Sequence, residues 1–292
     1  MKRRTRALVG ALTASTSVLT LGFLATPAQA AGVQVTNLEG VIKNQVGILT
    51  YAKTDRVTNS NTSVEVVGDP SVSLGDLWFV GTSTLRNTTD DAQTMSSESF
   101  TKTIEDTVTT SVTKGLEVSN TVQASVDMGE VLHLGNELTT TWNFSEENSH
   151  ANSESVSYTA PQQDIVVPAH TTATVTVRLQ QAIATGDVAL STDLGGQYEG
   201  WQCSSGSCAS SYSPLYSTIK SIQDSGKTWA NTPAPALPSG FTLNTGKQAL
   251  SFEGAGTYSA TYGANFDVKV SMAPNSDEGE SASSYSLTVP AV

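Results

Sequence analysis

The side chains able to do covalent or metal chemistry are few in this chain. Its three histidines, His133, His150 and His170, read as having no ligand partner, so each is expected as a plain surface residue. No Gly-x-Ser-x-Gly elbow is present. Gly226-Lys227-Thr228 lacks the upstream glycine of a phosphate-binding loop, because position 221 is Ser221. Gly254-Ala255-Gly256 lacks the third glycine of a dinucleotide fingerprint, because position 259 is Ser259. Acidic residues are numerous, but no carboxylate pair stands out. The sequence therefore points away from an enzyme, and it implies no cofactor and no metal. Cys203 and Cys208, in CSSGSC, are the only cysteines. Outside the cell two such neighbours are expected to pair and pin a turn; the alternative is two free thiols.

The chemistry that the residue pattern does support is that of a surface with one oily and one polar face. In residues 118–144, Val118, Val122, Ala124, Val126 and Met128 share one parity, broken by Asn120. Leu138, Trp142 and Phe144 continue that face. Glu117, Ser119, Thr121, Gln123, Ser125 and Asp127, then Glu137, Thr139, Thr141 and Asn143, make the other face. A period of two means strand, and two such strands around a Gly-containing turn mean a β-hairpin. Val131, Leu132 and Leu134 give its tip an apolar leading edge, with Glu130 beside it.

Such a hairpin suits a transmembrane barrel, with the even face toward lipid and the odd face toward a lumen. Arms of about 11 residues span ~37 Å, or roughly 28 Å when tilted by ~40°, close to the ~30 Å hydrocarbon core. Trp142 and Phe144 sit where an aromatic girdle would. The lumen would then carry Glu117, Asp127 and Glu137 and favour cations. One hairpin cannot insert alone, because its edge amides would be unpaired in lipid, so several copies must close the barrel. The alternative is an ordinary half-buried hairpin whose even face is core.

The elements that would position this hairpin are strands. A Thr-rich segment from Gln93 puts Phe100, Ile104, Val108, Val112 and Leu116 on even positions, and its parity runs on into the hairpin. It predicts one extended strand entering the hairpin and another leaving through residues 145–158. Earlier, residues 54–63 read as a linker or exposed loop, VEVVGD from Val64 as a short strand, and residues 77–87 as another. Later strands are expected at 164–167, 171–182, 186–194, 247–262, 265–272 and 283–289. Leu38, Val41, Ile42, Val46 and Leu49 have helical spacing, although residues 33–36 read as strand. The fold class is thus mainly β, an elongated array of long twisted antiparallel strands bearing an amphipathic hairpin.

Residues 1–30 read as a secretory signal peptide: Lys2, Arg3, Arg4 and Arg6, an apolar core, then Ala28-Gln29-Ala30. A retained membrane helix is the alternative. Four of the 15 Lys and Arg lie in that leader, so the remainder carries 11 basic against 27 acidic residues, a net charge of −16. That surface opposes nucleic acid and adsorption to anionic lipid, so something other than bulk electrostatics must bring the protein to a membrane. Residues 31–63 are expected to form a short N-terminal element on the receptor side. Residues 64–292 form the main module. Within it residues 195–240 are rich in Gly, Ser and Pro, with Tyr198, Trp201, Tyr212 and Tyr216 in a loop near the cysteines. Aromatics displayed there suit receptor or sugar binding; local packing is the alternative.

Several pieces occur in an order and spacing that resemble the clostridial epsilon-toxin and mosquitocidal-toxin family of aerolysin-like β-pore-forming toxins. They are Gly68-Asp69-Pro70-Ser71, Val80-Gly81, the Asn87-Thr88-Thr89 turn, and Gln93 through Ser99-Phe100. Asp164-Ile165-Val166-Val167-Pro168 leading to Thr171-Thr172, then Gly254, Tyr258 and Val289-Pro290, complete the set. The resemblance covers roughly residues 64–292. It implies a secreted monomer that binds a surface receptor, oligomerises and builds a barrel from one hairpin per subunit, carrying the insertion hairpin onto residues 118–144. The family's larger N-terminal receptor-binding region is shortened here, and no removable C-terminal peptide is expected after Pro290. A secreted carbohydrate- or cell-wall-binding module that never inserts is the competing function.

Overall fold

The computed structural model describes residues 33–134, 137–146, 148–275 and 282–291. The expected signal peptide lies outside the described residues. The first elements are β1 (Gln34–Asn37) and α1 (Leu38–Val46), so the N-terminal segment is both strand and helix. The Asn37 side chain accepts from the Gly40 N–H at the start of α1, and Gly47, at φ 80°, ends it. Leu38, Val41, Ile42 and Val46 face the core, as their spacing requires.

Next come β2 (Tyr51–Lys53) and β3 (Val57–Arg86), a single strand of 30 residues. The exposed loop expected at 54–63 is therefore corrected, since β3 begins at Val57 and pairs with a later strand from there. Then follow β4 (Gln93–Ser96), β5 (Phe100–Glu117), β6 (Gln123–Asp127), α2 (Met128–Val131), β7 (Thr139–Asn143) and β8 (His150–Ala160). The second half contains β9 (Asp164–Val167), β10 (Thr171–Ser204), β11 (Ser207–Pro214), α3 (Leu215–Ser225), β12 (Phe241–Asn244), β13 (Ala249–Pro274) and β14 (Ser283–Pro290).

β10 has 34 residues, a length of roughly 110 Å at ~3.3 Å per residue. It runs through both strands expected at 171–182 and 186–194, and β13 likewise joins 247–262 to 265–272. On one side β10 pairs with β13 from Thr171 to Leu194; on the other it pairs with β3 from Thr172 to Gly196. Glycine and proline in these strands mark bulges instead of ends. Gly68, Asp69 and Pro70 bulge out between Ser71, opposite Thr185, and Val67, opposite Asp187. β3 pairs with β10 alone, and a proline is tolerated on such an edge strand. Gly186 stays in register opposite Tyr258, where a Cβ would lie 2.6 Å from the tyrosine hydroxyl.

These strands belong to a ten-stranded sheet whose main path is β1-β5-β13-β10-β11; β4-β9 and β6-β7 are separate two-stranded pairs. β5 pairs with β8 over Phe100–Thr110 and with β13 from Thr107 to Lys114. One apolar core lies among α1, α3, the β6-β7 pair and the middle of the sheet. A second holds Ile104, Tyr158, Ile165, Val177 and Phe266 under β4, β9 and β14.

Candidate membrane-insertion hairpin and receptor face

The two arms of the hairpin pair antiparallel, with Ala124 opposite Trp142, Ser125 opposite Thr141 and Val126 opposite Thr140. The ladder has five residues per arm, shorter than the 11 expected. β5 does not continue into it, which corrects the expected unbroken strand. The chain turns at residues 118–122 because polar side chains hold it there. The Asn120 side-chain amide donates to the Val57 carbonyl at 2.7 Å. The Ser119 N–H donates to Thr54 Oγ1 at 3.0 Å, and the two hydroxyls lie 2.9 Å apart. Asn59 donates to the Thr121 carbonyl at 3.1 Å. The other arm ends at Asn143, and β8 begins at His150.

Backbone bonds close the base: Phe144 N–H to the Val122 carbonyl, 2.9 Å, and Leu116 N–H to the Phe144 carbonyl, 2.8 Å. Gly115 permits that approach, since a Cβ there would lie 2.3 Å from the Phe144 oxygen. At the other end Asp127 Oδ1 accepts from Gly129 N–H at 2.8 Å and Leu138 N–H at 2.9 Å, capping the single turn of α2. Asp127, assigned to the polar face from sequence, therefore ties the tip in this state.

The even face is covered. Val122, Met128, Leu138, Trp142 and Phe144 are buried, and Val118, Ala124 and Val126 are half-buried against the same core. That core includes Val64, Val112, Val188, Leu190 and Tyr258 from β3, β5, β10 and β13. Gly256 makes room for Trp142, whose Nε1 would lie 3.2 Å from a Cβ there. Thr140 is buried on this face too, a position the sequence reading passed over. The tip residues Val131 and Leu134 are half-buried and Leu132 is buried, so the tip is folded inward and is not an exposed leading edge in this state. On the odd face Glu117, Ser119, Thr121, Gln123, Ser125, Glu137, Thr139 and Thr141 are exposed, while Asp127 and Asn143 are half-buried. Ser125 and Thr141 bridge the arms through their hydroxyls at 2.7 Å.

Residues 195–225 are not a loop, whereas residues 226–240 are irregular. β10 and β11 form a hairpin with Cys203 opposite Cys208, joined as a disulfide, and Ser205 and Gly206 at positive φ make its two-residue turn. α3 follows, with Leu215, Ile219 and Ile222 buried on one side. Its i, i+4, i+7 spacing was a readable signal. The four aromatics divide. Tyr198 is only 1% exposed and belongs to the core, so it is not displayed. Trp201 is half-buried and stacks on Tyr51, Tyr212 is exposed, and Tyr216 is half-buried on α3.

His150 has a partner four residues earlier, Glu146, which corrects the reading of it as unpartnered, and His170 pairs with Asp90 at 2.8 Å. Both pairs are exposed. Among the described residues no group of His, Cys, Asp and Glu could hold a metal ion, and no helix is long and apolar enough to cross a membrane.

The chain is similar to known proteins in sequence and in fold. A sequence profile of the family described as Clostridium epsilon toxin ETX/Bacillus mosquitocidal toxin MTX2 aligns with residues 34–281. The chain belongs to this family. Among solved structures it is similar to the Mpp75Aa1.1 beta-pore-forming protein from Brevibacillus laterosporus, at 21% identity and TM-score 0.62, covering 82% of this chain and 76% of that one. It is also similar to the Cry23Aa1 and Cry37Aa1 binary protein complex, at 18% identity and TM-score 0.58, covering 88% and 97%. A non-toxic crystal protein from Bacillus thuringiensis shares the fold at 14% identity and TM-score 0.62, covering 84% and 100%. No curated protein sequence matches the chain. The fold is aerolysin-like and mainly β, and membership in the ETX/MTX2 family supports a pore-forming toxin.

Proposed function

We propose that this family member is a secreted pore-forming toxin that acts without catalysis. It binds a receptor on a target membrane, assembles with other copies of itself, and releases the hairpin at 118–144 to build one β-barrel. In the barrel Val118, Val122, Ala124, Val126, Met128, Leu138, Trp142 and Phe144 face lipid. Ser119, Thr121, Gln123, Ser125, Thr139, Thr141 and Asn143 line the lumen together with Glu117, Asp127 and Glu137.

The observation that carries this reading is the hairpin's attachment. It is a separate two-stranded pair, held by a few hydrogen bonds to β3, the segment before it, β5 and β8, with its oily face turned inward. Exchanging protein for lipid leaves that face in an apolar environment. Closing the barrel pairs the arm edges that a lone hairpin would leave open. Release requires the turn at 118–122 to straighten, which extends both ladders toward the length a bilayer needs.

The test is a reversible tether. Thr54→Cys with Ser119→Cys places two thiols where hydroxyls now lie 2.9 Å apart. Oxidised, the variant should bind susceptible cells, yet form no heat-resistant oligomer and release no entrapped dye. Reduction of the engineered bridge should restore both. Full dye release by the oxidised protein would remove hairpin opening from the mechanism.

A further inference from the structure

The end of β10 carries β2 on one side and β11 on the other. Register places Trp201 between Tyr51 and Ser210, and Glu199 between Lys53 and Tyr212. Directly paired residues share a face and alternate residues return to it. Tyr51, Lys53, Glu199, Trp201 and Tyr212 therefore stand together, while Tyr198 on the opposite parity enters the core. The Tyr51 and Trp201 rings stack at 5.3 Å and 12°. Lys53 Nζ lies 5.9 Å and 5.8 Å from their centroids. Arg56 Cζ lies 3.8 Å above the Tyr212 ring. Tyr51 is 37% and Tyr212 41% exposed, and both cations are exposed.

Charge decides what such a face would hold. Beyond residue 30 the chain has only 11 basic residues against 27 acidic ones. Two of those 11 meet here, and among the described residues neither is in an ion pair. Among the strand residues paired on this face one is a carboxylate, the buried Glu199. The face therefore gathers exposed cations on an otherwise acidic protein. The rings add planar apolar area beside the cations, which suits the C–H face of a sugar ring more than a bare anion. An anionic lipid surface is the poorer match, because the rest of the chain would be repelled from it.

We propose that this face binds a carboxylate-bearing sugar of a cell-surface glycan, which deepens and rests on the receptor step proposed above. The Arg56 guanidinium donates two parallel hydrogen bonds to the sugar carboxylate, and Lys53 adds a third. The sugar ring packs beside the Arg56–Tyr212 and Tyr51–Trp201 stacks.

The soluble mature protein is titrated with 3′-sialyllactose, a hyaluronan tetrasaccharide and, as the neutral control, lactose. At least one acidic probe should bind about tenfold or more tightly than lactose. Arg56→Gln and Tyr212→Ala should each weaken that binding about tenfold with an unchanged melting temperature, and Lys53→Gln should weaken it less. Dye release from glycan-free liposomes at high protein concentration should be the same in all variants, which separates this step from pore formation. Equal binding of acidic and neutral probes would overturn the proposal. So would undiminished binding in Arg56→Gln, or capture by phosphatidylserine vesicles with no binding of either acidic sugar. Loss of dye release in the unmodified protein with acidic-sugar binding retained would sink the pore reading and leave this one standing.

Discussion

Asn120 donates its side-chain amide to the backbone carbonyl of Val57 at 2.7 Å, and this bond joins the base of the hairpin to the first residue of β3. It also explains why a polar residue interrupts the oily parity at this point. A valine there would complete the alternation and favour a continuous strand from β5 into β6. Asn120→Val should remove a net ~1 kcal/mol and lower the melting temperature by about 2–4 °C. Dye release at fixed dose should become faster, because the straightened arm is closer to the barrel. A slower release with the same loss of stability would mean that the turn serves only folding.

Asp106 on β5 is fully buried, and one of its oxygens accepts from the Tyr158 hydroxyl at 2.5 Å while the other has no partner. Burial raises its pKa above the ordinary carboxylate value, more than the Tyr158 hydrogen bond lowers it; Glu154 on β8 adds to the rise and the Gly263 backbone N–H opposes it. Tyr262 on β13 faces the same site, its own pKa raised by burial and by Asp106. A folded-state pKa above the unfolded one means that the folded chain holds this proton more tightly. The resulting stabilisation is complete below the unfolded pKa and is lost as pH rises through the folded one. Asp106→Asn keeps an acceptor for Tyr158 and removes the charge. Its stability relative to the unmodified protein should therefore rise with pH across that window, as read from urea midpoints. A difference independent of pH would show that Asp106 does not titrate there.

Glu117 and Glu137 are exposed on the odd face, and Asp127 is half-buried at the tip. If these acids line the pore, Glu117→Gln with Glu137→Gln should reduce its preference for cations, measured as a shift of the reversal potential toward zero in a salt gradient. Asp127→Asn should shift it in the same direction while still accepting from Gly129 and Leu138. An anion-selective unmodified pore would contradict the parity assignment.

The mainly β class, the hairpin and its two faces were legible in the sequence because period and β-branched content report them directly, while the type of the N-terminal element stayed open between helix and strand. The length of the strands was not. The expected strands stop at 69 and 182, yet Gly68 and Pro70 on a bulged edge and Gly186 opposite a large tyrosine are accommodated within β3 and β10. The turn at 118–122 was equally hidden, because its cause lies in Thr54, Val57 and Asn59, about 60 residues earlier. Alternation identified the covered face without identifying its cover. Aromatic clustering in sequence found Trp201 and Tyr212 but missed Tyr51, Lys53 and Arg56, which only strand pairing brings beside them. It also included Tyr198, whose parity takes it to the opposite face.

The central claim is that the hairpin enters the bilayer with alternate residues facing lipid. It is tested most directly by lipid-borne quenching of an environment-sensitive probe on single cysteines at Ala124→Cys, Ser125→Cys, Val126→Cys and Asp127→Cys, before and after oligomers form. Once pores form, probes at 124 and 126 should be quenched from the lipid, and those at 125 and 127 by aqueous iodide alone. Lipid quenching at none of the four positions, or at 125 and 127 instead, would contradict the account.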